Sequence, residues 1–554
     1  MSLNLKPTFP PFRTLIALSL LFGPILPLSS VTANELPRQQ PLLPHSCEAE
    51  FRVAIIGAGI AGASAAFHIH NESASNPFHG RPVAIIIFDS SASVGGKVHT
   101  VFPHGQKEKP LELGATSFWQ DDWCMIDAAD ATQTILSQTK KNRQTDDGRW
   151  IVDGSHLLED VFCEQRELRL RFWTWREAKK VIGMALEWAR FEMRYRFSMW
   201  RIRRMLKLHL DQFYGFGRTG TFDNVVQELE RCGLGSAVHS ITASASLESL
   251  GMSRDLQRTL LEPCVKETYG LSMDEALGLH AVLAAGAVRS NLSVTATDGN
   301  QKFVKRIIEM SGVTLRLKSR VVRVEAGSER RYALAVTSEE EEEHPEFDAI
   351  ITTGEALQTF RPRALPNQHE HLTTYKTVFS SEYDLDPQAM GLKTPNIPRS
   401  ILFATSPNST TVNHFPFNLT SLTTHPSFYI DRTGCSFDDE CDQYVNVYIA
   451  ESTSPLSVFD LRALTRSHPP TVWSETHPWQ RSMPVANSID PYIGDVRVDD
   501  FFLDAGDTVV ESMEMSCRMG RNVALKIMER QTGVFGESST LTEGDLLGKV
   551  QGLL

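Results

Sequence analysis

Ten residues constrain this chain more than any others. Val53-Ala-Ile-Ile-Gly57-Ala-Gly59-Ile-Ala-Gly62 is an apolar run that breaks into three glycines at fixed spacing, then resumes as Ala63-Ser-Ala-Ala-Phe-His-Ile. The pattern predicts a strand, a tight turn and a helix. In such a unit Gly57 makes the turn, Gly59 lets backbone approach a pyrophosphate, and Gly62 lets the helix pack on the strand. The helix N-terminus adds N–H groups and the positive end of its dipole. A lone motif of this kind also occurs as a purely structural glycine turn. The next apolar run, Val83-Ala-Ile-Ile-Ile-Phe-Asp89, ends in an acid where a second strand would deliver a carboxylate to a ribose 2′-hydroxyl. Asp89 can be read as a strand-end or capping residue, but the paired signals favour the ribose. An acid here also favours a hydroxyl over a 2′-phosphate.

At 554 residues the chain is too long for one simple domain, and two to four units are expected. A net charge of −12 argues against nucleic acid as a main partner, because phosphate binding needs a cationic face. Residues 1–33 carry Lys6 and Arg13, an apolar stretch from Leu15 to Leu28, and Val31-Thr-Ala33. That layout predicts a signal peptide cut after Ala33, with an uncleaved anchor as the alternative. The expectation is a soluble mature protein of the secretory pathway, vacuolar, lysosomal or extracellular. Sequons at Asn71, Asn291, Asn408 and Asn418 then become glycan candidates, Asn71 the weakest because it is placed just beyond the first helix. The eight cysteines become candidates for disulfides. Cys435 with Cys441 is the expected pair, Cys517 is expected to be a buried free thiol, and the spacings contain no zinc pattern.

Residues 121–292 interrupt the nucleotide-binding pattern with helix-like sequence. Between Glu164 and Asp211, Trp173, Trp175, Trp188 and Trp200 alternate with arginines such as Arg194, Arg196, Arg201 and Arg204. Such a cap can make peripheral contact with an anionic membrane or meet a carboxylate-bearing substrate. An exposed, salt-bridged helix with its aromatics packed inward is the favoured alternative, since charges of both signs run through the segment. The segment around Leu279 and His280 is expected on a buried helix facing a substrate cavity. His280 is more simply a core histidine than a base.

The nucleotide-binding pattern returns at Asp298-Gly299-Asn300, the helix from Phe303 and the strands around Val313–Leu317 and Val321. The acidic run Glu339–Glu343 reads as a solvated turn. Alternating residues such as Tyr444-Val-Asn-Val-Tyr-Ile predict a second insertion with sheet structure. The closing block, Phe501-Phe-Leu-Asp-Ala-Gly506-Asp507 and Ser512-Met-Glu-Met-Ser516, predicts a strand, a Gly-Asp turn and a helix.

Gly57-x-Gly-x-x-Gly62, the acid Asp89 and Gly95-Gly96-Lys97, in this order, resemble the flavin amine oxidases and related FAD-dependent families. The stretches Tyr375–Phe379, Met390–Leu402, Trp473 with His477-Pro478, and Ser512–Ser516 resemble the prenylcysteine oxidase (prenylcysteine lyase) family. The likeness spans about residues 50 to 530. It departs at His477, where the family often has Tyr, and in the Arg/Trp-rich cap. The resemblance implies FAD as cofactor, held by Gly57, Gly59, Gly62, Asp89, Gly96, Lys97, Val321, Gly506 and Asp507. Glu112-Leu-Gly-Ala115 would run beneath the isoalloxazine, and the closing helix would point its N-terminus at the flavin pyrimidine.

The fold expected is α/β, with a discontinuous Rossmann-type FAD-binding domain (34–120, 293–365 and 486–535). It carries an inserted α+β substrate domain (121–292 and 366–485) and a tail, 536–554. By resemblance the reactants are a prenylcysteine and molecular oxygen. Hydride leaves the prenyl C1, water adds to the sulfur-stabilised cation, and the thiohemiacetal collapses to prenyl aldehyde and cysteine. Hydrogen peroxide is the reduced product. No catalytic side chain and no metal ligand set is identified. Oxidation of another apolar substrate, such as an isoprenoid or polyketide, and flavin binding without turnover are the alternatives.

Overall fold

The apolar run at 51–56 is hydrophobic at nearly every position because it becomes the centre of a parallel sheet, covered on both faces. In the computed structural model the described residues are 50–75, 81–138, 149–153, 156–159, 198–238, 242–289, 293–326, 331–338, 342–353, 369–390, 392, 397–403, 418–431, 442–465, 473–484, 497–498, 501–503 and 509–532. Strand β1, Phe51–Ile56, lies between β2, Val83–Phe88, and the strand Ala349–Thr352. Val53 faces Ile85 on one side and Ala349 on the other. Thr314–Arg316 extends the sheet beyond β2, and Phe501–Leu503 extends it beyond Ala349–Thr352, all parallel. Strands from three distant parts of the chain thus share one sheet.

Helix α1, Ile60–Ser75, follows the glycine turn and packs against the closing helix, Met513–Thr532. The contact is backbone to backbone: a Cβ on Gly520 would fall 2.2 Å from the Ala61 carbonyl oxygen. The Ser64 hydroxyl donates to the Cys517 carbonyl at 2.7 Å. Asn71 sits within α1 and is exposed, rather than beyond the helix, because the helix runs on to Ser75. Asn418 is also exposed and donates to Ser454 Oγ at 3.3 Å. Asn291 and Asn408 lie outside the described residues.

An antiparallel sheet of Arg320–Ala326, Tyr332–Thr337, Glu342–Glu343 and Glu346–Phe347 covers one side of the parallel sheet through Phe88, Leu334, Val336 and Phe347. The acidic run is corrected here. Glu342–Glu343 pairs with Val336 and Thr337, because the Arg316 guanidinium reaches both Glu343 oxygens, at 2.6 and 2.9 Å, and neutralises the charge. Residues 339–341 lie outside the described residues.

A seven-stranded sheet has the order Trp473–Pro484, His369–Ser381, Asp442–Ser452, Leu419–Asp431, Ser400–Phe403, Arg149–Asp153 and His156–Glu159. Alternation sorts its side chains. Phe379, Tyr448, Ala450 and Leu422 join one core with Leu461 and Leu464 of the helix Val458–Thr465. Val378, Val445, Val447 and Ile449 face the other way, toward Val101, Leu111 and Leu113. The helices complete the interior. Gly278–Arg289 buries Leu279, Ala281, Ala284 and Ala285 completely. Ser198–Gly215 buries Ile202, Met205, Leu206 and Phe213 while Arg204 stays exposed, so this part of the Arg/Trp-rich stretch packs its apolar side inward. Residues 160–197 of that stretch lie outside the described residues. No helix among the described residues is long and apolar enough to cross a membrane.

Cys517 is not a free thiol: it is disulfide-bonded to Cys124. Helix α2, Trp123–Ala131, meets the closing helix there, bringing the two Cα atoms to 5.9 Å across 393 residues of sequence. Cys435 and Cys441 lie outside the described residues. Replacing Cys124 with Ser should lower unfolding stability by about 2–5 kcal/mol, since a long loop loses its crosslink. Urea unfolding of both proteins measures this, and coincident midpoints would contradict a crosslinking role.

Candidate functional site

A cavity of 1590 Å³ is lined both by the glycine turn and by the seven-stranded sheet. It exceeds the roughly 300–1,000 Å³ of a site for one drug-sized ligand, so it has room for a dinucleotide and a second molecule. Gly57, Gly59, Asp89, Gly95, Gly96 and Lys97 line one end. Gly57 has φ 113°, and a Cβ there would fall 2.1 Å from Thr353 Oγ1. Gly62 does not line the cavity. A Cβ on it would fall 2.0 Å from the Gly57 carbonyl oxygen, so it serves the helix–turn packing.

Asp89 braces this turn. Its Oδ2 accepts from the Ala58 N–H and its Oδ1 from the Ser91 N–H, both at 2.7 Å. The Gly95 N–H donates to the Ala58 carbonyl at 2.9 Å, so the second glycine pair is stitched to the first turn. The strand-end reading of Asp89 therefore describes real bonds, and Asp89 also lines the cavity. Lys97 pairs with Glu511, just ahead of the closing helix. Val321 lines the cavity with Arg320 and Val322. Gly506 and Asp507 lie outside the described residues.

The start of the closing helix lines the cavity as well. Ser512 Oγ accepts from the Met515 N–H at 3.0 Å. The buried Glu514 carboxylate accepts from the Cys124 and Met125 N–H groups, at 3.0 and 2.9 Å, and from Arg518 Nε at 2.5 Å. Arg518 Nη1 donates to the carbonyls of Phe213 and Phe216. Asp122 accepts from the Trp119 N–H at 2.7 Å, and burial next to Glu514 pushes its carboxyl well above the usual range. Sequence reasoning missed this network. Its one local signal was the Glu514/Arg518 spacing of four on a helix.

Glu112 lines the cavity wall. It accepts from the Asn300 N–H at 2.8 Å and from the Thr100 hydroxyl, and burial raises its carboxyl to about 7. The Asn300 amide donates to the carbonyls of Ala115 and Thr116, fixing the segment that follows Glu112. His280 is fully buried, its Nδ1 accepts from the Leu277 N–H at 3.0 Å, and burial lowers it to about 3. It is a neutral core residue whose ring lies 4.7 Å from that of Tyr269, tilted by 59°, and Tyr269 does line the cavity.

A family model described as prenylcysteine lyase matches residues 180–536, well over half the chain. The chain belongs to the prenylcysteine lyase family. A second model, an NAD(P)-binding Rossmann-like domain, matches residues 55–128. Like its family it is an FAD-dependent oxidoreductase. No curated protein sequence matches it. Among solved structures, a double mutant of putrescine oxidase with redesigned cofactor binding is 14 % identical, covering 87 % of this chain and 100 % of its own, at a TM-score of 0.53. The fatty acid isomerase from P. acnes that produces CLA is 12 % identical, covering 87 % and 99 %, at 0.54. At these identities the likeness is one of fold.

The residues present fit FAD. Glycine backbone at 57, 59 and 96 leaves the groove free of side chains, and Asp89 stands at the end of β2. Asp89→Ala should raise the Kd for FAD at least tenfold, about 1.4 kcal/mol, because the turn loses both bracing bonds. Flavin fluorescence titration reads this, and an unchanged Kd would contradict it.

Glu112 also sets a pH dependence. The folded chain keeps a proton that the unfolded chain has lost above its ordinary value of 4.5. Relative to Glu112→Gln, wild-type stability should therefore be highest at low pH and fall as pH rises from 4.5 to about 7. Denaturant midpoints of the two proteins across that window test the sign. A constant difference would show that Glu112 titrates normally.

Proposed function

We propose that the chain oxidises the thioether of a prenylcysteine: R–CH2–S–Cys, water and O2 give R–CHO, cysteine thiol and H2O2. Family membership supports this reading. The observation that carries it is the shared cavity, whose wall beyond the dinucleotide cradle is formed by Phe118, Trp119, Phe213, Leu283 and Ile449. Such a wall suits an isoprenoid chain, which gains about 25 cal/mol per Å² of apolar surface removed from water. FAD, when bound, accepts the hydride and passes the electrons to oxygen.

The chain's part is position. The glycine turn and Asp89 anchor the dinucleotide end, and Asn300 pins the Ala115–Thr116 backbone on the cavity wall. The aromatic wall holds the substrate's apolar portion and limits water around the reacting carbon. We further propose that the protein works in an oxidising compartment reached through the secretory pathway, which the Cys124–Cys517 disulfide supports.

Chain loaded with FAD and given farnesylcysteine should release peroxide, thiol and aldehyde in equal amounts, followed by peroxidase coupling, thiol titration and aldehyde derivatisation. A bound flavin with none of the three products would reject the prenylcysteine reading and direct the search to other apolar substrates.

A further inference from the structure

Among the described residues one histidine lines the cavity, and it belongs to the seven-stranded sheet. His425 lies on Leu419–Asp431, where it pairs with Val447, as Thr423 pairs with Ile449 and Ser421 with Glu451. The strand period of two puts Ser421, Thr423 and His425 on one sheet face, and all three line the cavity. Just past His425 the register slips by one residue, and the next pair is Phe428 with Val445. Bulges of this kind re-aim a side chain beside a site, and Pro426, which has no N–H to give the ladder, falls within this one.

The His425 ring is half-buried, and burial together with the Arg399 charge lowers it from 6.5 to about 4, so the imidazole is neutral near pH 7. Neither ring nitrogen has a hydrogen-bond partner among the described residues. The strand beside it offers none: Val447 and Ile449 are apolar, and Glu451 forms an ion pair with Lys376 at 3.8 Å. Other ionisable groups of the cavity wall are engaged elsewhere. Glu112 serves Asn300 and Thr100, Glu514 serves α2 and Arg518, and Lys97 pairs with Glu511. A polar group withdrawn from bulk water without a partner is costly unless an occupant supplies one. A neutral imidazole offers that occupant one acceptor and one donor.

Resting on the prenylcysteine reading, we propose that His425 is the proton acceptor and then the proton donor of the steps that follow hydride departure. Loss of hydride from C1 needs no base. It leaves R–CH=S⁺–Cys, and water must lose a proton as its oxygen bonds to C1. One imidazole nitrogen takes that proton, which gives R–CH(OH)–S–Cys and an imidazolium. The C–S bond then breaks with its electron pair on sulfur, and the imidazolium returns the proton to that sulfur. The hydroxyl proton passes to water as the C=O bond forms. The products are R–CHO and cysteine thiol, with His425 neutral again. Water bonded to such a cation is a strong acid, so a base that holds its proton weakly suffices for the first step and makes the better acid for the second.

The test mixes the full chain loaded with FAD and farnesylcysteine under nitrogen, and follows flavin bleaching and free thiol within a single turnover. In wild type the two should coincide. In His425→Phe and His425→Ala bleaching should keep the wild-type rate, while thiol appears roughly a hundredfold more slowly, the low end of what general acid–base catalysis supplies. Added imidazole should restore thiol release in His425→Ala. The flavin spectrum and the Kd for FAD should match those of wild type in both variants, which shows that they are folded. Thiol that keeps pace with bleaching in the variants overturns the proposal and leaves thioether oxidation standing. Bleaching that slows in step with thiol overturns it too, because His425 would then act in binding or before hydride leaves, and so does a lag that imidazole does not shorten. A wild type that farnesylcysteine does not bleach overturns thioether oxidation itself, and the role of His425 with it.

Discussion

Glu514 is buried in the first turn of the closing helix, and its carboxylate serves three donors: the Cys124 and Met125 N–H groups in the first turn of α2 and the Arg518 side chain. Arg518 in turn satisfies carbonyls at the end of the helix Ser198–Gly215. One ion pair thereby joins the last helix to the segment that leaves the nucleotide-binding sheet and to the helices inserted after it. A carboxylate this deeply buried is tolerated only with its charge and lone pairs met, and breaking such a pair costs about 3–5 kcal/mol. The Cys124–Cys517 disulfide lies within the same junction and makes it covalent. The floor of the cavity depends on this junction, because Asp122, Met513, Glu514 and Ser516 all line it.

The other half of the architecture is the parallel sheet. Its central strand pairs with one strand from early in the chain and one from midway, a strand from late in the chain pairs in turn with the latter, and the glycine turn emerges at the carboxyl end of β1. Ligands of open α/β sheets bind at that end. The seven-stranded sheet lines the same cavity, so under the proposed function one cavity would hold the cofactor at the glycine turn and the substrate beside that sheet. Oxidation by hydride transfer needs that juxtaposition more than it needs an acid or base.

Features carried by short stretches of sequence were legible. The glycine turn, the strand ending at Asp89, the helix from Asn300 and the closing helix each follow from local pattern, because turn geometry, burial on both faces and helical period are written into adjacent residues. Contacts between distant residues were not legible. The Cys124–Cys517 bond has no local signature, and neither cysteine sits in a spaced motif. The Glu342–Glu343 strand was misread for a related reason: the arginine that neutralises it comes from another sheet. Asp89 was read for its ligand and proved also to hold its own turn, a bond pattern that periodicity does not contain.

The claim beneath all of this is that one cavity holds the flavin between the glycine turn and the start of the closing helix, with its remaining space facing the seven-stranded sheet. Diffraction from crystals of the FAD-loaded chain measures it directly. Density should place the pyrophosphate at Gly57–Gly59, the adenosine ribose at Asp89, and the isoalloxazine between Glu112–Ala115 and Met513–Glu514, with open volume beside Lys376 and Glu451. Flavin density elsewhere, or a ring that fills the space against the seven-stranded sheet, would contradict it.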